Sequence, residues 1–233
     1  MGGEIFDMED QNVIDNLKSL IDYIITLMNN NEIELLYINT NLLYEDLSTL
    51  EYLLNNIQQN NLWDRLRFTT SWDLAGRFEC AKKQEKFDYN LKTIRNKYPD
   101  AHIVVNSILT KQYCEKVIEN PSFVKDFQDK YKVQVNTIPY IVLTDWLAPT
   151  KNQVMKALLS INSAIPNYIK NYVNNFSLPQ PKLLYEYNSS DKDLIYCSSD
   201  VDKCGHSENF KNYCLSKDKC YICDIKQLLD KID

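Results

Sequence analysis

Apolar residues recur every three or four positions in several parts of the chain, which is the spacing of one helix face. The first such stretch covers residues 13–28, where Ile14, Leu17, Ile21 and Ile25 follow this period. The same spacing predicts helices at 50–57, 84–98, 112–118, 123–131 and 152–173. Pro166 is expected to kink the last of these helices, because proline cannot donate the backbone hydrogen bond of a helix interior.

Four shorter stretches between these helices are rich in apolar and β-branched residues, which is typical of buried strands. They cover residues 33–38, 67–71, 102–108 and 140–144. Strands that alternate with helices indicate a parallel sheet with crossover helices. The sequence therefore predicts an α/β fold, a partial (β/α) barrel of about four parallel strands with a small metal-stapled C-terminal tail.

The segment 177–181 (SLPQP) is typical of a linker. The composition after it becomes polar and rich in cysteine. We therefore predict an α/β domain over residues 1–178 and a Cys-rich metal-binding tail over 179–233.

Charge and composition narrow the classes of function. The 233 residues carry a formal net charge of −6, with no long run of Lys or Arg, so composition gives no support for nonspecific nucleic-acid binding. No signal peptide is visible, and no apolar stretch reaches the roughly 20 residues of a membrane span. The expectation is a cytoplasmic protein with no membrane association.

Polar residues follow the predicted strands, at the edge where parallel α/β sheets build their sites. The segments are 39–42 after the first strand, 71–78 after the second and 106–111 after the third. The chain opens with Met1-Gly2-Gly3-Glu4, directly before a predicted helix. The order of these motifs and strands along the chain resembles that of the radical SAM superfamily, in particular its compact members encoded by phages and mobile elements. The resemblance covers most of residues 1–225.

The resemblance implies a cofactor site. In that family a Gly-Gly-Glu motif holds the amino group of S-adenosylmethionine, and Gly2, Gly3 and Glu4 match it. Ser71 and Asp73 match the Ser or Asp that faces the cofactor from a later strand. Asn106 matches a polar cofactor-facing position on the next strand, so these residues are expected to form a vestigial S-adenosylmethionine site.

One departure from the family is large. Its members carry a Cys-x3-Cys-x2-Cys loop upstream of the Gly-Gly-Glu motif, and its three thiolates hold a four-iron cluster. This sequence starts at the motif, and Cys80 and Cys114 have no ligand-type neighbour in sequence, which favours packing roles for both. Reductive cleavage of the cofactor needs an electron from such a cluster. We therefore expect neither an iron–sulfur cluster nor bound S-adenosylmethionine in this chain alone, with residual cofactor binding as the alternative.

Five of the seven cysteines lie between Cys197 and Cys223. Cys204-Gly-His206 and Cys220-x2-Cys223 supply three thiolates and an imidazole, a set that suits tetrahedral structural zinc. Similar family members end in a comparable segment. Cys197 and Cys214 are further candidates, and a second iron–sulfur cluster is the alternative.

These observations favour a non-catalytic binding or inhibitor protein derived from a radical-SAM-like scaffold. The phage-type resemblance suggests action on host machinery through a protein partner. A host nucleoprotein effector such as an RNA-guided nuclease is one such partner, and binding to it would make the protein an anti-CRISPR inhibitor. The alternative is a radical SAM enzyme whose cluster-binding half is truncated here or supplied by another chain. An RNA-binding module would need a basic face that the composition does not indicate.

Overall fold

The computed structural model describes residues 5–72, 81–138 and 149–171. The described chain alternates helices with parallel strands, as the hydrophobic pattern predicts. The helices are α1 (Gln11–Asn29), α2 (Ser48–Gln59), α3 (Ala81–Lys97), α4 (Lys111–Glu119), α5 (Phe123–Tyr131) and α6 (Lys151–Ala164). The strands are β1 (Leu36–Thr40), β2 (Leu66–Trp72), β3 (Ile103–Ile108) and β4 (Gln134–Ile138). A short 3-10 turn, Trp63–Arg65, leads into β2.

The chain divides into two compact units. The first comprises Met1–Ile108 and Asp126–Ile138, and the second comprises Leu109–Lys125 and Pro139–Asp233. All four described strands belong to the first unit. In the second unit, the described residues form α4, the start of α5, and α6.

The strands form a parallel sheet in the order β1-β2-β3-β4. Strands that follow one another in sequence are therefore neighbours in the sheet. Because crossovers between parallel strands are almost always right-handed, this order puts the connecting helices on the same face. The prediction of an α/β fold with about four parallel strands is confirmed, whereas barrel formation stays a prediction and the tail lies outside the described residues.

Side-chain contacts join the helices of the first unit into a layer. α1 packs beside α2. Lys97 of α3 forms an ion pair with Glu51 of α2 at 2.7 Å, and Lys130 of α5 lies 3.8 Å from Asp88 of α3. The order of helices in the layer is therefore α1, α2, α3, α5, which matches the order of the strands beneath them.

The core of the first unit lies between this layer and one face of the sheet. Alternate residues of each strand are buried, with Phe68 and Val105 fully so. At the end of β2, Trp72 stacks on Phe127 of α5 with ring centroids 4.0 Å apart. Alternation in a parallel strand indicates that its other face is less well covered than the two-sided burial typical of such sheets.

In the second unit α4 packs against α6. Each helix begins at a threonine whose hydroxyl accepts a backbone hydrogen bond: Thr110 from the amide of Tyr113, and Thr150 from that of Gln153. The side-chain amide of Gln153 donates to Glu115 Oε1 of α4 at 3.2 Å. Such capping fixes the starts of both helices, because the first backbone amides of a helix lack partners within it.

One sequence prediction needs correction, and one strand of the described sheet was not predicted. α6 ends at Ala164, and Pro166 terminates the helix rather than kinking it; Asn167 then adopts a positive φ of 65° before a further helical turn. The fourth strand was predicted at 140–144, which lies outside the described residues, and the strand that pairs with β3 is Gln134–Ile138. Its polar residues concealed it, because Gln134 and Asn136 fall on the less covered face.

One strand boundary also differs from the prediction. β1 begins and ends later than the predicted strand at 33–38, because Ile33 belongs to the turn after α1. The domain boundary near residue 178 lies outside the described residues. Within the part of the chain that is described, no helix is both long and apolar enough to cross a membrane.

Candidate functional site: the polar face of the sheet

The structure describes two of the residues expected to form a vestigial cofactor site, Ser71 on β2 and Asn106 on β3. The remaining residues of that prediction, Gly2, Gly3, Glu4 and Asp73, lie outside the described ranges. The predicted zinc ligands Cys204, His206, Cys220 and Cys223 lie outside them as well. Geometry can therefore be given for the sheet part of the site alone.

Ser71 and Asn106 are direct neighbours across the β2–β3 pair, and Asn136 of β4 continues the same row. Residues in register on parallel strands point to the same face, about 4.8 Å apart from strand to strand. All three are half-buried. The row therefore presents one hydroxyl and two amide groups side by side near the carboxyl end of the sheet, where parallel α/β folds bind their ligands.

A second polar row lies one step toward the amino ends of the strands. There Asn39 of β1 is in register with Thr69 of β2. The Thr69 hydroxyl donates to the Ile38 carbonyl at 3.0 Å and lies 3.2 Å from Asn39 Oδ1. On β4, the Gln134 amide donates to Asn136 Oδ1 at 2.9 Å. Val104 of β3 lies between Thr69 and Gln134 in this second row. We call the six polar residues of the two rows the polar face: Asn39, Thr69, Ser71, Asn106, Gln134 and Asn136.

The polar face carries amides and hydroxyls but no side chain that titrates near neutral pH. Arg67, at the amino end of the same face, donates to the backbone carbonyls of Asp64 and Leu66. General acid–base catalysis needs a group whose pKa lies near the working pH. The six residues of the polar face are therefore equipped to form hydrogen bonds with a ligand, and none of them is an acid or base of that kind.

The opposite side of the same strand ends carries several hydroxyls beneath the helix layer. Thr40 accepts from the Leu42 amide at 3.1 Å, and its hydroxyl is also hydrogen-bonded to that of Tyr44. Thr70 and Ser107 are fully buried, and within the described part of the chain their hydroxyl oxygens have no hydrogen-bond partner. Buried hydroxyls in such a position are usually satisfied by an internal water molecule.

The turn after β1 is held by a residue that the sequence reasoning did not select. Asn90 of α3 is 2% exposed, and its amide donates to the carbonyls of Leu42 and Tyr44 at 3.0 and 2.9 Å. Leu42 has a φ of 55°, a region that is unfavourable for a residue with a branched side chain. Asn90 thus fixes a strained turn at the carboxyl edge of the sheet.

A signal for Asn90 was present in the sequence. It occupies an apolar face of α3 together with Phe87, Leu91 and Ile94, all of which are buried. A polar amide at a core position of a helix is expected to have hydrogen-bond partners. The sequence analysis placed residues 39–42 in the site but did not select Asn90. Its partners are backbone carbonyls more than 40 residues away in sequence, and these leave no side-chain pattern to recognise.

Other described groups with shifted pKa values have structural explanations. A hydrogen bond from Lys86 lowers the pKa of Glu45 in the same turn. Burial raises the pKa of the Cys114 thiol to about 12, with a smaller contribution from Glu115. Cys114 is fully buried in α4, as its predicted packing role requires.

Among the residues that the structure describes, no group of three or more His, Cys, Asp or Glu side chains is placed to hold a metal ion. Comparison with known proteins was negative: no protein-family model, no curated protein and no solved structure matches the chain. The relationship to the radical SAM superfamily therefore stays a prediction from the sequence motifs.

Proposed function

We propose that this protein is a non-catalytic binding protein, built on a radical-SAM-like scaffold, that inhibits host machinery by occupying it. The observation that carries the proposal is the polar face, a surface of amides and hydroxyls that lies exposed or half-buried on a parallel sheet. Parallel sheets normally bury both faces under apolar side chains. A polar face in this position is suited to a ligand that brings its own hydrogen-bonding groups.

Amide and hydroxyl groups carry no net charge, so they bind a partner through hydrogen bonds that require matching positions of donors and acceptors. Each hydrogen bond formed on such a face contributes about 0.5–1.5 kcal/mol net, so several must act together for useful affinity. Ser71, Asn106 and Asn136 stand in one row at strand spacing. A row of that kind can be matched by an extended segment or a loop of a protein partner.

The concrete version of this proposal is an anti-CRISPR inhibitor of an RNA-guided nuclease. Such enzymes hold nucleic acid in a positively charged channel. The chain has a net charge of −6 and would be attracted to that channel. In this version charge steers the encounter, and the hydrogen bonds of the polar face provide specificity.

DNA cleavage by purified RNA-guided nucleases in the presence of increasing amounts of this protein tests the proposal. We expect saturable inhibition of at least one nuclease class. The double variant Asn106→Ala with Asn136→Ala removes two amides and should weaken inhibition about tenfold, which corresponds to roughly 1.4 kcal/mol. Tyr89→Ala, at an α3 position that is 68% exposed, is the matched control and should inhibit like the wild type.

Two results would contradict the proposal. Cleavage unaffected by the wild-type protein, at concentrations well above that of the nuclease, would exclude the inhibitor version for the nucleases tested. Inhibition that is equally strong in the double variant would show that the polar face is not the contact surface. Circular dichroism and thermal melting of the variants verify that the sheet has not unfolded.

A second candidate function is a radical SAM enzyme whose cluster-binding half comes from another segment or chain. The adjacency of Ser71 and Asn106 favours it, because the family resemblance assigns both to the cofactor. When bound, the cluster would supply the electron that cleaves the cofactor, while the sheet would hold only the cofactor's polar groups.

Titration calorimetry with S-adenosylmethionine separates the two functions. The inhibitor proposal predicts no binding at millimolar cofactor and no 5′-deoxyadenosine under anaerobic reduction. Saturable binding that Asn106→Ala weakens would instead support the enzyme. Acid-labile sulfide with several iron atoms per chain would have the same meaning.

A further inference from the structure

Helix α1 carries two apolar stripes, and only one of them faces the core. Ile21, Ile25 and Met28 are buried in the core of the first unit. The second stripe alternates spacings of four and three residues and consists of Val13, Leu17, Leu20, Ile24 and Leu27. We call these five residues the α1 seam. Val13 is 41% exposed and Leu20 is 51% exposed, while the other three are half-buried.

The side of α1 that meets α2 is polar. Asp22 accepts a hydrogen bond from the Tyr52 hydroxyl of α2 at 2.7 Å, and the Lys18 ammonium lies 5.6 Å from the centre of the same ring. At 3.6 residues per turn, this side lies about 150° around the helix from the α1 seam. The apolar seam thus points away from the helix layer, while the charged side points into it.

A helix at the end of a layer is expected to turn its polar side toward water and its apolar side toward the neighbouring helix. In α1 these two sides are exchanged. Amphipathic helices normally present a single apolar stripe to the core and polar side chains elsewhere. A sustained spacing of four and three residues is instead the pattern of helices that pair along their length. The α1 seam therefore has the sequence period and the position of a helix–helix interface.

The borders of the seam suit contact with an identical surface. On its solvent side the nearest residues are Asn12, Asn16 and Tyr23, none of which carries a charge at neutral pH. Tyr23 is 61% exposed, and tyrosine is enriched at the centres of protein interfaces. The acidic residues Asp15 and Asp22 lie on the opposite side of the helix, so they do not repel a second copy across the seam.

We infer that the α1 seam pairs with the α1 seam of a second copy of this chain, with the two helices antiparallel. A parallel pair would bring the exposed acidic residues Asp7, Glu9 and Asp10 of both copies together at one end. In the antiparallel pair they lie beside the uncharged Asn29 and Asn30 of the partner helix. Antiparallel helices also oppose their macrodipoles favourably.

The geometry of this pair is self-complementary about its centre. Leu20 lies midway between Val13 and Leu27, so an antiparallel two-fold places Leu20 against Leu20 and Val13 against Leu27. A helix of 19 residues is about 28 Å long. A single helix pair buries less than the roughly 800 Å² per partner of a standard interface, so we expect a weak dimer with a dissociation constant on the order of 10 μM.

Sedimentation velocity of the full chain tests the pairing. Protein concentrations from about 1 to 200 μM lie on both sides of the expected dissociation constant. The wild type should shift from monomer to dimer across this range. Leu20→Glu places a carboxylate at the centre of the seam and should weaken dimerisation at least tenfold. Leu159→Glu makes the same substitution at an α6 position that is 41% exposed and should leave the dissociation constant unchanged.

A wild-type monomer over the whole range would overturn the inference, as would a dimer that Leu20→Glu does not weaken. Equal weakening by both variants would also overturn it, because the effect would then not belong to the seam.

Oxidative crosslinking tests the orientation, with the wild type as the control for the native cysteines. Leu20→Cys should form a crosslinked dimer above the wild-type level, and the double variant Val13→Cys with Leu27→Cys should do the same. Val13→Cys alone should not crosslink, and if it does, the antiparallel arrangement is wrong.

Discussion

The turn after β1 depends on one buried amide, so replacing Asn90 with alanine should be costly. In the wild type the amide donates one hydrogen to the Leu42 carbonyl and one to the Tyr44 carbonyl, at 3.0 and 2.9 Å. Asn90→Ala removes both donors while the carbonyls stay in place. The turn also contains the positive φ of Leu42, a strained conformation that the surrounding contacts must hold in place.

The expected loss follows from the number of groups left without partners. A buried acceptor deprived of its donor costs about 1–3 kcal/mol, and relaxation or entry of water reduces the sum for two acceptors. We therefore expect Asn90→Ala to lower the free energy of unfolding by about 2–4 kcal/mol. Loss of that size is a large part of the total stability of an ordinary domain.

Urea unfolding followed by circular dichroism measures this difference. The control is Asn29→Ala, because Asn29 is exposed and its amide makes a single hydrogen bond to Asn60 of 2.9 Å. The control should lose about 0.5 kcal/mol or less, as is typical of a surface substitution. Equal losses in the two variants would refute the role assigned to Asn90. Hydrogen exchange should also become faster at residues 42–44 in Asn90→Ala and not in the control.

Asn90→Asp adds a test with a defined pH dependence. An ionised carboxylate can only accept hydrogen bonds and would face two carbonyl oxygens, whereas the protonated acid can donate to one of them. The folded state should therefore raise the pKa of the new carboxyl above its unfolded value of about 3.9. Its stabilising contribution is present below that value and is lost as the pH rises through the folded pKa. A stability difference from wild type that does not vary with pH would contradict this reasoning.

Further predictions concern single groups. Cys114, with its buried thiol and raised pKa, should resist alkylation at pH 8 until denaturant is added, as read by mass spectrometry of its peptide. Burial and then a hydrogen bond with Asp88 raise the pKa of Tyr131, so its contribution to stability should be lost as the pH rises above about 10. Urea unfolding at increasing alkaline pH should show a smaller loss for Tyr131→Phe than for the wild type. Elemental analysis should find about one zinc ion per chain, which Cys220→Ser removes and Cys114→Ser retains. Iron and acid-labile sulfide instead of zinc would contradict the zinc assignment.

The hydrophobic period predicted most of the elements because each of them buries a continuous apolar stripe or strand. α2, α3 and α5 were all found from this pattern, and so was the core strand β3 with Val104 and Val105 at its centre. The same reasoning missed β4. A strand with one polar face shows alternation in place of a continuous apolar run, and Gln134-Val-Asn-Thr-Ile was read as a connection between elements.

The site was less accessible to sequence reasoning than the fold. Ser71 and Asn106 were selected from a motif resemblance, and the sheet register indeed makes them neighbours. Asn136 was not selected, because the alternation of Gln134–Ile138 did not identify β4 as a strand. Asn90 could not be assigned partners in advance, since a residue that binds backbone carbonyls leaves no complementary side chain in the sequence to find.

The α1 seam and the outer edge of β1, the first strand of the described sheet, connect the two candidate functions to one measurement. In a parallel sheet of this order, additional strand–helix units supplied by another chain would place a strand on the edge of β1 and a helix beside α1. Such a helix would cover Leu20 and the rest of the seam. A homodimer through α1 occupies the same surface, so the two-chain enzyme and the self-paired binding protein exclude one another in a single complex. A dimer that Leu20→Glu disrupts therefore favours the binding protein, whereas a wild-type monomer leaves the seam available for a complementing chain.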